Sequence, residues 1–158
     1  MPNAVVQIQG LGELRQRLGN AAAAIQARKL LNEIGLYLRL RILERTSQGV
    51  DVNENPFWPY SPEYAFFRDM AGLPTSRVDL FFTGSMLSSM TFETSSDQVR
   101  LFFAPTEDKF GGSNPEKAYF LNEDREFFAI SDDDVDTIVD IAEARIARAL
   151  RKGSGGTR

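Results

Sequence analysis

The strongest pattern in the chain runs from Ala21 to about Arg45. Apolar residues recur at Leu30, Ile34, Leu38 and Ile42, a second row follows at Leu36, Leu40 and Leu43, and no proline interrupts the stretch. Spacings of three and four residues place each row on one helical face, so 21–45 predicts a helix covered on more than one side. A second helix is predicted over 131–151. Val135, Ile138, Ala142, Ile146 and Leu150 mark one face, and Ser131 stands three residues ahead of Asp134 at capping-box spacing. Residues 90–95 and 98–104, alternating or apolar around a polar turn and closed by Pro105, predict a β-hairpin. Val5 to Ile8 reads as a short strand stopping at Gly10. Leu11, Leu14 and Leu18 then repeat at helical spacing until Gly19, and Asn20 can cap the long helix after it.

Between these elements prolines and glycines set the punctuation. Pro56 and Pro59 bracket Phe57 and Trp58, which excludes an interior helix or central strand and makes 48–60 an ordered loop packed through its rings. Ser61-Pro62-Glu63 has the N-cap and first-turn proline of a helix start, and that helix ends near Gly72. Thr83 caps a turn at Gly84-Ser85-Met86-Leu87. Residues 106–114 form a polar, glycine-bearing loop, Asn114-Pro115-Glu116 opens a brief helix through Leu121, and Glu126 to Ile130 reads as a short apolar piece of strand character. The expectation is one α+β domain over 1–152: a long N-terminal and a C-terminal helix packed on a small, mainly antiparallel sheet with long loops. A flexible tail, 153–158, completes the chain.

Composition narrows the function. With 158 residues the chain holds the material of a single packed domain, and it contains no Cys and no His. That removes thiolate nucleophiles, imidazole acid–base chemistry, Ser-His-Asp triads and the usual zinc sites. The first residues lack the basic-then-apolar pattern of a signal peptide, and no apolar run approaches the roughly 18 residues of a membrane span, so the expectation is a soluble chain with no membrane contact. The formal charge of −4 is unevenly spread: residues 1–45 carry +4, 46–144 carry −13 and 145–158 carry +5. Such asymmetry matches helix dipoles, and it also suits head-to-tail contact between copies.

Candidate chemistry is sparse. The basic positions Arg28, Lys29, Arg39, Arg41 and Arg45 could form an electrostatic footprint for nucleic acid, but without interleaved aromatics they read as a solvated face or subunit contact. Asp132-Asp133-Asp134 could attract a divalent cation, yet three adjacent carboxylates at a helix start fan to different faces and read as capping. Glu107 and Asp108 with Glu123 and Asp124 could pair as acid and base, a pattern common by chance. Gly111-Gly112 lacks the lysine or helix that a phosphate cradle needs. Trp58, Tyr60, Tyr64, Phe66 and Phe67 are either a ligand platform or, by default, the packing of a proline-rich loop. The expectation is no catalytic, cofactor or metal site.

The order of local signals resembles a known family. Trp58, Pro59, Ser61 and Tyr64, then Leu80, Thr83, Gly84, Met86 and Leu87, then Tyr119 and Phe120, then Arg125, Phe127, Phe128, Ile130, Ser131 and Asp134, follow the sequence of motifs in the virion morphogenesis and tail-completion proteins of tailed bacteriophages. The likeness spans roughly residues 25–150. The chain departs from that pattern in having no His between Lys117 and Asn122 and in approaching Phe127 through Glu123-Asp124-Arg125-Glu126.

The resemblance implies a non-enzymatic subunit of the virion. Such a subunit is assembled in the host cytoplasm into a homo-oligomeric ring at the head–tail junction, hexameric as first choice and dodecameric as second. Its neighbours would be the portal or adaptor on one side and the tail tube or terminator on the other, with DNA only passing through. On that footing the expected partner contacts are Trp58, Tyr60 and Phe110 in the loops 48–60 and 105–115, and the basic residues Arg39, Arg41, Arg45, Arg148 and Arg151. The alternative is a small cytoplasmic enzyme or nucleic-acid binder using the basic faces of 28–45 and 145–152.

Overall fold

The computed structural model describes residues 4–8 and 20–154. In chain order these form β1 (Val5–Ile8), α1 (Asn20–Gln48), α2 (Pro62–Met70), the single turn α3 (Ser85–Ser88), β2 (Met90–Thr94), β3 (Val99–Phe103), α4 (Asn114–Asp124) and α5 (Asp132–Ser154). The architecture is α+β, with two long helices and a three-stranded antiparallel sheet ordered β1-β3-β2. The stretch Leu11 to Leu18 lies outside the described residues. α5 runs two residues into the segment read as a tail, and 155–158 also lie outside.

β3 is central because it holds the buried alternation. It pairs Val99 with Ile8 and with Thr94, and Phe103 with Met90. Successive side chains leave a strand on opposite faces, so Val99, Leu101 and Phe103 are buried toward the helices while Arg100 and Phe102 share the other face. There Arg100 reaches Glu93 across the strands at 3.0 Å and lies over the ring of Phe102.

In α1 the row Leu30, Ile34, Leu38 and Ile42 is buried against the sheet and α5. The second row is covered only in part: Leu43 is half-buried against the core, while Leu36 and Leu40 are about half exposed, because sheet and α5 both lie on the Ile34 side. Gly35 lets the helix approach the sheet closely, since a Cβ there would run into the ring of Phe92. α1 ends at Gly49, whose φ of 81° is the left-handed cap; its amide donates to Thr46 O and the amide of Val50 to Arg45 O.

α5 lies antiparallel on α1, with Arg45 meeting Asp134 at one end and Glu33 meeting Arg145 at the other. The capping box is formed as expected: the Ser131 hydroxyl accepts from the amide of Asp134, and the Asp134 carboxylate accepts from the amide of Ser131. Glu126 to Ile130 is not a strand. Phe127 and Phe128 both enter the core rather than alternating, and side chains satisfy the backbone: Arg45 donates to Ala129 O, and Phe128 N donates to Asn122 Oδ1. Among the described residues no helix is long and apolar enough to cross a membrane.

Candidate functional site

The cap residue Ser61 starts α2 in a fixed register, its hydroxyl accepting from the amide of Tyr64 with Pro62 in the first turn. Tyr64 and Phe67, three residues apart, therefore share a helical face. That face, α3, α4 and the loop 104–113 enclose a groove of ≈ 680 Å³ lined chiefly by Tyr64, Phe67, Leu80, Phe82, Met86, Leu87, Phe110, Phe120 and Leu121, with Thr83, Gly84, Asp108 and Lys117. Rings run along it in series: Tyr60 to Tyr64 at 5.1 Å, Tyr64 to Phe67 at 6.4 Å, Phe67 stacked on Phe82 at 5.6 Å, and Phe82 to Phe110 at 5.9 Å. Phe67, Phe110 and Phe120 remain more than half exposed.

Two polar anchors shape these walls. Arg68 is buried, donates to Pro74 O, Phe81 O and Asp79 Oδ1, and lies 4.4 Å over the ring of Tyr60. Asp79 also accepts from the amide of Phe81 and the hydroxyl of Tyr60. Between these fixed points Leu80 is held at a φ of 53°, a left-handed conformation that is rare for a bulky residue, with its side chain lining the groove. At the other wall the Thr83 hydroxyl donates to Asp108 at 2.6 Å, the amide of Phe110 donates to the same carboxylate, and Lys117 stands 3.5 Å away. The Thr83 hydrogen bond, then that from Phe110, holds the Asp108 carboxyl below its ordinary range. Left-handed Gly111 and Gly112 close this loop and carry Phe110 at its tip.

Beyond Tyr64, Leu80 and Leu121 the groove opens into a recess of ≈ 340 Å³ lined also by Tyr60, Ser61, Arg68 and Arg125. The Nε of Arg125 is out of water and without a hydrogen-bond partner.

The residues expected at a partner interface are thus split. Phe110 lines the groove and Tyr60 the recess. Trp58 is 77% exposed and lines neither, so it does not fold back onto the core. The loop that carries it is anchored by buried Val52 and Phe57 and by the Asp51 carboxylate, which accepts from the amides of Asn53 and Asn55. Arg39 donates to Met90 O, and Arg41 reaches Glu54, Glu44 and Asp134. Arg45 is a correction: read as an exposed base, it is 1% exposed and bound to Asp134 at 2.8 Å, which removes it from any partner surface. Arg148 and Arg151 are exposed on α5.

The acidic run at 132–134 is divided, with Asp134 turned inward to Arg45. Among the described residues no three or more metal-ligating side chains cluster. Trp58, Tyr64, Phe66 and Phe67 are exposed rather than packed in the core as the default reading expected. Leu80, Thr83, Gly84, Met86, Leu87 and Phe120 were not expected to form a site. Their only signal was membership of the motifs that carry the resemblance, and folding brings them together with Tyr64 around one groove. No family model, no curated protein and no solved structure matches the chain.

Proposed function

We propose that the protein is a structural subunit of a tailed bacteriophage virion, forming a homo-oligomeric ring at the head–tail junction through which DNA passes. The observation that carries this reading is the convergence of separated motif segments on one exposed aromatic groove. Tyr64 from the first segment, Leu80, Thr83, Gly84, Met86 and Leu87 from the second and Phe120 from the third wall the same groove. Exposed contiguous aromatic surface of this kind is costly for a chain that works alone and marks a protein–protein contact. The basic faces of the alternative reading are poorly suited to nucleic acid on α1, where Arg39, Arg41 and Arg45 are bound within the chain.

The ring is hexameric as first choice and dodecameric as second, with portal-side and tail-tube-side proteins as neighbours. Two observations test the reading. The gene is expected beside genes for a portal, capsid or tail tube, and imaging of particles is expected to place the chain in a ring between head and tail. Particles complete without it, or a locus with no virion genes, would overturn the assignment.

A further inference from the structure

Charges along the groove and its recess mostly answer one another, Asp108 with Lys117 and Arg68 with Asp79. Two do not. Arg125 lines the recess with its Nε unpartnered, and Lys109, lying over the ring of Phe110, forms no ion pair among the described residues. An apolar trough with an unanswered cation toward each end is complementary to a segment that has apolar side chains at its middle and carboxylates on either side.

The first turns of α5 have that composition. Val135 and Val139 are 47% and 48% exposed, one helical turn apart on the same face. Asp132, Asp136 and Asp140 flank them, and none of the three forms an ion pair among the described residues, whereas their neighbour Asp134 does. α5 packs on α1 and contributes no wall to the groove. Of the other exposed helical strips, Phe66 and Met70 belong to α2, which itself walls the groove, and Leu36 and Leu40 on α1 have no comparable carboxylates to offer, because Glu33 is held by Arg145 and Glu44 by Arg41.

We propose that the Asp132–Asp140 edge of α5 in one copy seats in the groove of the next copy, Val135 and Val139 against the exposed rings and the aspartates toward Arg125 and Lys109. The inference rests on the ring reading above and names its interface. Because the two surfaces differ, the contact is head-to-tail, the kind that closes into a ring when the rotation between neighbours returns to the first copy.

The test uses two blocked variants of the full chain, Arg125→Glu at a partly buried position on the groove side and Val139→Lys at an exposed position on the helix side. Phe120→Ser and Asp136→Lys replace either one that fails to melt like the wild type. The wild type is expected to assemble with rising concentration in sedimentation velocity, and each variant alone to associate at least tenfold more weakly. Mixed together, the two variants are expected to stop at a one-to-one dimer, since each supplies one intact surface, and that dimer weakens as salt is raised. Either variant assembling like the wild type, or a mixture that stays monomeric, would overturn the proposal. A wild type monomeric at every concentration would also overturn it, while leaving the head–tail assignment to be decided by particle imaging.

Discussion

Asp134 is the carboxylate on which the join between α1 and α5 depends. Burial works to raise its pKa. The amide of Ser131 and the guanidinium of Arg45 outweigh that and hold it below the ordinary 3.8. A group whose pKa is lower in the folded than in the unfolded chain contributes stability that is complete above the unfolded value and is lost as pH falls through the folded one. Urea midpoints are therefore expected to hold level near neutrality and decline below about pH 4 to 5. Asp134→Asn should flatten that acid limb. By leaving Arg45 buried and unpaired, it should also cost about 3–5 kcal/mol at pH 7. An unchanged acid limb in the variant would assign the decline to other carboxylates. Arg68 plays the matching part at the groove, tying Pro74, Asp79 and Phe81 around the left-handed Leu80. Arg68→Ala should cost about 3 kcal/mol and open residues 71–83 to limited proteolysis. Cleavage no faster than in the wild type would mean the loop holds without it.

At the scale of elements, α1 approaches β2 closely at Gly35, with no room for a Cβ beside the ring of Phe92. Glycine inside a helix costs about 1 kcal/mol against alanine, so Gly35→Ala on an isolated helix would stabilise. Here the added methyl meets the ring of Phe92, and overpacking of that kind costs about 1–3 kcal/mol. The net expectation is a loss of about 1 kcal/mol with a shift in the Phe92 ring resonances. A more stable variant would show that the ring swings aside freely. The short helices obey a different rule. α2 opens on Pro62 behind its capping Ser61 and α4 carries Pro115 in its first turn behind Asn114, so their starts are local, while their packing depends on a groove they jointly build.

For the whole molecule, the decisive property is that so many rings are left in water. Phe110 is 70% exposed at a loop tip, its ring tilted against that of Phe82 and lying under Lys109. Phe110→Ala should therefore change folding stability by less than about 1 kcal/mol while impairing assembly of the particle. A variant that fails to fold would place Phe110 in the core. The charge asymmetry of the chain belongs to this scale as well. Part of it is internal, since Arg45 and Arg41 meet Asp134 and Arg145 meets Glu33, and part remains outward in the aspartates of α5 and the exposed Arg148 and Arg151.

What the sequence determined by itself was the set of local periodicities and caps. The row Leu30 to Ile42, the hairpin strands, the Ser61-Pro62 start and the Ser131–Asp134 capping box are each built from residues spaced only a few positions apart within the feature. Spacing and side-chain type fix such features before any long-range contact forms. The tertiary structure alone decided which like residues became unlike. Arg45 and Arg41 are four residues apart on one helix, yet one is buried because α5 brings Asp134 to it from 89 residues away. Leu36 and Ile34 are equally apolar, and only one faces the sheet. The groove is likewise invisible in the chain order, because its walls come from four separate segments whose meeting depends on how α2, α3 and α4 pack. Burial and desolvation are properties of a neighbourhood, and a linear chain does not carry its neighbours in sequence.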